Sequence, residues 1–218
     1  MPLPTGVSRE IAAIGRRFHA RGWALGTSGN FSAVISRRPL RLAISASAVP
    51  KGRIGPAHIL EVDAQGDTVA RRGAPPSAET LLHLEIVKER KAGAVLHTHS
   101  VWATLLSDRH AAERGVAVEG YEMLKGLDGV RTHTHREWIP IFENDQDMPG
   151  LARRVGAALR EYGDVHAFLL RRHGLYTWGP TLGAAERHVE VLEFLFEAIG
   201  RGTMHNRQEG HHGAVEHS

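Results

Sequence analysis

The sequence predicts a single α/β domain built on a central sheet, mostly antiparallel or mixed, that is flanked by helices. The chain has 218 residues, a length that suits one domain with a substantial core. Segments with helical periodicity are mixed with pairs of strand-like segments that meet at tight turns. This order lacks the strict strand–helix alternation of a doubly wound parallel sheet, and no internal repeat or linker divides the chain.

Five segments carry apolar residues at the spacing of a helix. Ser8, Ser77 and Ser100 are candidate N-cap residues, because a serine oxygen can accept a hydrogen bond from the first helical turn. Gly93 follows the second segment, as glycine often does at the end of a helix. The predicted helices are 8–23, 77–92, a segment that opens at residue 100, 148–163 and 181–200.

Short apolar segments bounded by turn residues predict the strands. One hairpin within 59–70 turns at Gln65-Gly66, and two strands within 167–179 turn near His173-Gly174. Residues 205–218 are polar and aperiodic, so we expect a domain over 1–204 and a disordered tail over 205–218. The remaining predicted strands are 31–36, 40–45, 94–99, 115–120 and 136–142.

The composition narrows the classes of partner. Lys and Arg number 27 and Asp and Glu 24, giving a formal charge of +3, and the two signs are interspersed. We therefore expect no nucleic-acid partner, whereas anionic small molecules fit. No apolar run approaches the roughly 20 residues that span a bilayer, and no signal-peptide pattern opens the chain, so we expect a cytoplasmic protein without a membrane partner. With no cysteine, thiolate metal sites are excluded.

The sequence "AVLHTHS" places His97 and His99 two residues apart at the end of an apolar strand. Side chains alternate along a strand, so both imidazoles point to one face and Thr98 to the other. Such a pair either binds one metal ion or closes a strand with two polar residues. A catalytic zinc typically has three protein ligands, so a third donor must come from elsewhere in the chain.

His173, in "LLRRHGLYTWG", is the best candidate for a third ligand, since it sits at a strand end beside Gly174. A rival pair, His133 and His135 in "RTHTHRE", repeats the same spacing. Its charged and polar flanks predict a loop or an edge strand at the surface. The other histidines are single or lie in the expected tail.

Three segments are typical of loops that bind an anion through backbone N–H groups and hydroxyls, although turns and N-caps use the same residues. They are "GTSGN" (26–30), "SASAVPKGR" (45–53) and "PPSAET" (75–80). Two carboxylates are candidates for proton transfer: Glu122 in "EGYEMLKGL" and Glu79 after Ser77. The alternative is that both are ordinary surface carboxylates.

Together these motifs resemble the class II aldolase/adducin superfamily, over about residues 8–202. The likeness rests on five motifs in one order: "GTSGN", "SASAVPKG", "PPSAET", "HTHS" and "RRHGLYTWG". The segments "GYEMLKGL" and "THTHREWIPIFENDQD" narrow the resemblance to the methylthioribulose-1-phosphate dehydratases of that superfamily.

The resemblance implies one zinc ion per subunit, bound by His97, His99 and His173, and Glu122 as the acid/base residue. One departure is Ser47-Ala48, where we expect a Ser-Gly pair, so the glycine freedom that this loop would use is missing. The substrate-binding residues that the resemblance implies, with Glu79 beside the metal, are Thr27, Ser28, Gly29, Asn30, Ser47, Lys51, Ser77 and Glu79.

The function implied is zinc-dependent dehydration of 5-methylthioribulose 1-phosphate to a 2,3-diketo phosphate in methionine salvage. A homo-oligomer is expected, with a tetramer favoured, because relatives commonly have active sites at subunit contacts. An aldolase or 4-epimerase acting on another sugar phosphate is the first alternative, since it would use the same ligands. A metal-free interaction module like the adducin head is the second, and it predicts degraded ligands.

Overall fold

Eight strands form one central sheet in the computed structural model, which describes residues 5–69 and 76–212. The strands are β1 (Asn30–Arg37), β2 (Leu40–Ser45), β3 (Ile59–Asp63), β4 (Ala94–Thr98), β5 (Gly115–Val118), β6 (Glu137–Phe142), β7 (Ala167–Leu170) and β8 (Gly174–Gly179). Their order is β3-β2-β1-β4-β8-β7-β6-β5. Only β6 and β7 are parallel among these neighbouring pairs. The predicted mostly antiparallel, mixed sheet is therefore confirmed.

Helices cover both faces of the sheet. They are α1 (Thr5–Ala20), α2 (Thr80–Arg90), α3 (Val101–Arg109), α4 (Met148–Glu161) and α5 (Leu182–His212). Helices α2 and α4 pack with Val95, Phe168 and Tyr176 on one face. Helices α1, α3 and α5 pack with residues of opposite alternation, such as Leu96 and Leu175, on the other. No helix in the described part of the chain is both long and apolar enough to cross a membrane.

Two of the three predicted N-caps are wrong. Helix α1 begins at Thr5, so Ser8 lies inside it. Helix α2 begins at Thr80, because residues 77–80 form a separate turn in which the Thr80 amide donates to the Ser77 carbonyl at 3.0 Å. Ser100 does cap α3, since its Oγ accepts from the Ala103 amide at 3.0 Å.

The C-terminal ends of two helices also differ from expectation. Lys91, not a glycine, adopts the left-handed conformation after α2, with φ 51°. Gly93 instead allows close packing, because a Cβ there would lie 2.0 Å from the Pro180 carbonyl oxygen. Helix α5 is described as far as His212, within the segment expected to be a tail. Residues 213–218 lie outside the described residues, and the boundary at residue 204 stays a prediction.

Strand register decides which end of the sheet each loop occupies. Thr98, the last residue of β4, pairs with Leu175 near the start of β8, so the segments carrying His99 and His173 meet at one end. We call this the His97 end of the sheet. The end of β5 lies at the opposite end, because Val118 pairs with Glu137, the first residue of β6. The 3₁₀ helix Glu122–Gly126 follows β5 there.

Candidate metal centre

Three imidazoles converge at the His97 end of the sheet. The Nε2 atoms of His97 and His99 are 2.8 Å apart, and those of His99 and His173 are 3.1 Å apart. His97 is fully buried, and the other two are partly buried. The structure thus brings together the three histidines that the sequence singled out, from two strand ends that are more than 70 residues apart in the chain.

Hydrogen bonds on the far side of two rings orient these nitrogens. The Nδ1–H of His97 donates to the Leu175 carbonyl at 2.8 Å, and the Nδ1–H of His173 donates to Asn144 Oδ1 at 3.3 Å. Because a carbonyl oxygen only accepts, each Nδ1 carries a proton, so Nε2 is the nitrogen of each ring that can bind a metal ion. The Tyr176 ring stacks on His97 with a centroid distance of 3.9 Å and restricts its rotation.

The alternation predicted for "HTHS" is confirmed. Thr98 points to the other face of the sheet, where its Oγ1 donates to Glu193 at 2.7 Å. The His99 amide donates to the Trp23 carbonyl at 2.7 Å, which ties the strand end to the loop after α1. Gly174 permits the approach of β8, because a Cβ there would lie 2.0 Å from the Thr98 carbonyl oxygen.

Glu79 completes the cluster. Its Oε1 is 3.1 Å from His173 Nε2 and 3.5 Å from His97 Nε2. Its Oε2 accepts hydrogen bonds from the side-chain amide of Asn30 and from Ser77 Oγ. Burial disfavours the charged form, but the contacts with His97 and His173 outweigh it, so the pKa of the Glu79 carboxyl lies well below its usual value.

The donor set fits a divalent metal ion. Potential ligand atoms of Glu79, His97, His99 and His173 all lie within 4.8 Å of one another, and no other such group of acidic or histidine side chains occurs in residues 5–69 and 76–203. Burial, reinforced by His97 and His173, lowers the pKa of His99 to about 2, so this imidazole is neutral, the form that binds metals. Nitrogen and carboxylate ligands without thiolates suit zinc and other first-row divalent ions.

A cavity of about 190 Å³ opens beside the cluster. All eight predicted substrate-binding residues line it, together with His99. Pairing of β1 with both β2 and β4 places the loops before β1 and after β2 beside the His97 end of the sheet. The third segment joins them through contacts of the Asn30 side chain with Ser77 and Glu79. Hydroxyls, loop amides and one lysine therefore face a space that borders the imidazoles, an arrangement suited to a small anionic ligand.

Lys51 lies in the wall of this cavity and is almost fully buried. Its Nζ donates to the carbonyls of Thr27 and Val49 at 3.0 and 3.1 Å, so the side chain holds two of the loops together. Burial lowers the pKa of the Lys51 ammonium to about 8, although Glu79 opposes this. Near neutral pH the lysine is therefore mostly charged and retains one N–H donor.

Ala48 adopts the left-handed conformation, with φ 57°. This is the backbone conformation for which glycine was expected at this position. An alanine pays roughly 1–2 kcal/mol to adopt it. The departure at Ser47-Ala48 therefore leaves the loop shape intact at an energetic cost.

Glu122 does not join this cluster. It begins the 3₁₀ helix at the opposite end of the sheet, and its side chain is 72% exposed. Its Oε1 accepts a hydrogen bond from Lys125, which lowers the pKa of the carboxyl. His133 and His135, from the rival motif, also lie at that end. His133 is 3.8 Å from Glu122, and His135 contacts Glu137 at 2.8 Å.

Sequence reasoning missed Tyr176, which stacks on His97, and two further residues near the cluster. Asn144 orients His173 from the loop after β6. His83 is fully buried on α2 and contacts Asn30 Oδ1 through its Nε2. The only sequence signal for His83 is its position four residues after Glu79, one helical turn away.

Comparisons with known proteins agree with this geometry. Residues 9–199 match the family described as class II aldolase and adducin N-terminal domain. Methylthioribulose-1-phosphate dehydratase of Methylococcus capsulatus is 46% identical over 189 residues, which cover 86% of this chain and 90% of that protein. The protein of that name from Sorangium cellulosum is 42% identical over 194 residues, 88% and 91% of the two chains. The crystal structure of L-fuculose-1-phosphate aldolase from Thermus thermophilus superposes with a TM-score of 0.71 at 25% identity, covering 94% of this chain and 96% of that one.

Proposed function

The chain belongs to the class II aldolase and adducin N-terminal domain family, and we propose that it is a methylthioribulose-1-phosphate dehydratase, a hydro-lyase of methionine salvage. The observation that carries this proposal is its 46% identity, over most of both chains, to a dehydratase of that name. The cluster of imidazoles beside a polar cavity supports it, because dehydration of a sugar phosphate needs a site for the carbon skeleton and a site for the phosphate.

His97, His99 and His173 would bind one zinc ion per subunit, through their Nε2 atoms. When bound, the ion would supply Lewis acidity at neighbouring carbonyl and hydroxyl oxygens of a substrate, which acidifies the adjacent C–H bond. The Ser47 hydroxyl would donate a hydrogen bond to the substrate phosphate, and the Lys51 ammonium would add positive charge. The hydroxyls of Ser28 and Ser77 would also donate to it after turning from the Leu25 carbonyl and the Glu79 carboxylate. Binding energy from the phosphate helps to position the reacting carbons.

Dehydration removes the hydrogen on C3 and the hydroxyl on C4 as water, and the resulting enol becomes a ketone. We assign proton transfer to Glu122. Its pKa is lowered by Lys125, so it enters the reaction as a carboxylate and takes the C3 proton. Returning that proton to the departing C4 hydroxyl would release water and restore the carboxylate. Glu79 would lie beside the metal, and the proton transfer is not assigned to it.

This assignment requires a second subunit. Glu122 and the imidazoles of its own chain lie at opposite ends of the sheet, and the carboxylate faces outward. An exposed carboxylate can be presented to another copy, so Glu122 would serve the cluster of a neighbouring subunit. We therefore propose a cytoplasmic homo-oligomer, with a tetramer favoured, whose sites combine residues of two chains.

Aldol cleavage is the second candidate reaction, and one observation favours it. Within a single chain Glu79, not Glu122, is the carboxylate in contact with the imidazoles. If Glu79 performs the proton transfer, the chemistry of an aldolase or epimerase on a sugar phosphate becomes the better assignment. A metal-free interaction module is disfavoured, because all three imidazoles are present and converge.

The test is to incubate the zinc-loaded protein with methylthioribulose 1-phosphate and to follow diketone formation. Glu122→Gln should lower the rate by roughly 10²- to 10⁴-fold while leaving zinc content unchanged. Glu79→Gln is the matched comparison. A larger loss there, with Glu122→Gln nearly intact, would move the assignment to the aldolase branch, as would cleavage rather than dehydration of a sugar phosphate.

A mixing experiment tests the shared site. Glu122→Gln and His97→Ala chains should each be nearly inactive alone, because one lacks the acid/base group and the other lacks a ligand. Co-expressed, they form mixed oligomers in which some sites combine intact imidazoles from one chain with Glu122 from the other. Recovered dehydratase activity is the expected result, and the absence of any recovery in verified mixed oligomers would contradict a shared site.

A further inference from the structure

A buried chain of polar side chains lies behind Glu79 and ends at His83. His83 Nδ1 is 2.7 Å from Ser32 Oγ, and its Nε2 contacts Asn30 Oδ1. The Asn30 amide nitrogen in turn contacts Glu79 Oε2. Ser32 and His83 are fully buried and Asn30 nearly so, so bulk solvent has little access to these hydrogen bonds.

The Glu79 carboxylate fixes the direction of the hydrogen bonds from Glu79 through Asn30 to His83 Nε2, and a neutral His83 ring then fixes the bond to Ser32. The Glu79 carboxylate only accepts, so Asn30 must present its NH₂ group to it and its Oδ1 to His83. That carbonyl oxygen also only accepts, so His83 must donate from Nε2. Its Nδ1 then accepts from the Ser32 hydroxyl. Of the two neutral tautomers, only the one protonated at Nε2 satisfies all of these contacts.

The surroundings favour this neutral tautomer. The rings of Tyr176 and His83 pack edge to face with a centroid distance of 5.9 Å, and His83 is fully buried. Burial lowers the pKa of His83 to about 3, with a further lowering from His97, so the ring is neutral at ordinary pH.

We propose that His83 is a positioning residue, which orients the Asn30 amide so that its NH₂ group holds Glu79 Oε2 and leaves Oε1 directed at the imidazoles. If His83 did not donate, the Asn30 amide could turn over and place its carbonyl oxygen against the carboxylate, which is repulsive. The consequence for catalysis rests on the proposed function, whereas the hydrogen-bond direction does not.

Two conservative variants separate positioning from simple packing. The amide of His83→Gln reaches roughly where Nε2 lies and can still donate to Asn30. The amide of His83→Asn reaches only the position of Nδ1 and contacts Ser32 instead. Both replace a buried ring by a buried amide, so their losses of stability should be similar. We expect His83→Asn to lower kcat by roughly 10- to 100-fold, because a freed Asn30 amide would no longer hold its hydrogen bond to the charged Glu79 carboxylate. His83→Gln should recover most of that activity, and KM should change little in either.

Spectroscopy provides a readout that does not depend on turnover. Nitrogen NMR of the wild-type protein should show His83 protonated at Nε2 and unprotonated at Nδ1. The carboxyl carbon resonance of Glu79 should shift in His83→Asn and stay near its wild-type position in His83→Gln. Zinc content should be unchanged in both variants, since the three imidazoles remain.

Different failures have different meanings. An Nδ1-protonated His83, or equal effects of the two variants on kcat and on the Glu79 resonance, would overturn the positioning role. A second outcome is a wild-type protein that lacks dehydratase activity, with His83 in the expected tautomer and the Glu79 resonance shifted as expected in the variants. That result would support the positioning role of His83 and would contradict only the proposed function.

Discussion

Gly174→Ala is the sharpest test of how the fold builds the metal centre. Gly174 is the first residue of β8 and follows His173 directly. A Cβ at this position would lie 2.0 Å from the Thr98 carbonyl oxygen, 3.0 Å from the Thr98 carbonyl carbon and 3.2 Å from the His99 Cα. All three atoms are backbone, so no side-chain rotation can relieve the overlap.

The size of the overlap sets the expected effect. Ordinary non-bonded contacts begin near 3.4 Å, so β4 and β8 must separate by more than about 1 Å at this point. Metal sites tolerate deviations of about 0.2 Å in ligand distance, so His173 would leave the reach of an ion held by His97 and His99. Overpacking of this kind typically costs about 1–3 kcal/mol, which a domain of this size can survive.

If the cluster binds zinc as proposed, Gly174→Ala should give a folded protein that retains little of the metal. The measurement is metal content after dialysis against a weak chelator, with thermal unfolding followed in the presence and absence of added zinc. Gly183→Ala is the matched control, because a Cβ at Gly183 has no atom within 4 Å, and its stability should equal or exceed that of the wild type. Stoichiometric zinc and an unchanged Tm in Gly174→Ala would refute this account of the site.

The ligands, the cavity and a buried carboxyl group each allow a further prediction. Alanine at any one of the three proposed ligands should lower zinc content and activity, whereas alanine at His133 or His135 should leave stoichiometric zinc; equal metal loss from that pair would reassign the ligands. The dephosphorylated sugar should have a far lower kcat/KM than the 1-phosphate, and comparable values would exclude a phosphate role for the cavity. Burial raises the pKa of Glu193 to about 7, so the folded protein binds a proton that the unfolded chain releases above about pH 4.5. Its contribution to stability is therefore present below pH 4.5 and falls by roughly 1–3 kcal/mol as the pH rises towards 7. Urea unfolding across this range should show that fall relative to Glu193→Gln, and parallel curves would contradict it.

Local sequence patterns predicted most of the strands and helices, the pair His97 and His99, and the loops that line the cavity. The helices followed from apolar residues at a period of 3.6, and the strands followed from short apolar segments bounded by turn residues. The alternation of side chains along a strand correctly placed His97 and His99 on one face and Thr98 on the other. The loops that line the cavity were recognisable, because small hydroxyl residues and glycine suit both turns and anions.

Helix ends were less predictable, for a local reason. Ser77 has the chemistry of an N-cap, and its Oγ does accept a hydrogen bond from the Glu79 amide at 3.3 Å. That bond closes a turn before the helix instead of opening the helix itself. The preference of serine for a free amide is the same in both settings, so sequence alone could not distinguish them.

The local sequence around each carboxylate did not show which one contacts the imidazoles of its own chain, although the resemblance implied that Glu79 lies beside the metal. Glu122 and Glu79 were both plausible, and nothing in the neighbourhood of either reveals the end of the sheet at which it lies. That is set by the pairing of β5 with β6 and of β4 with β8, between segments that are many residues apart. Likewise, His83 has a role only because β1 places Asn30 between it and Glu79. The sequence by itself determined which side chains share a face of one element, because that depends on local backbone geometry. The faces and strand ends that come together depend on the register between strands that are distant in sequence. That register is selected by burial of the core as a whole, which no local segment specifies.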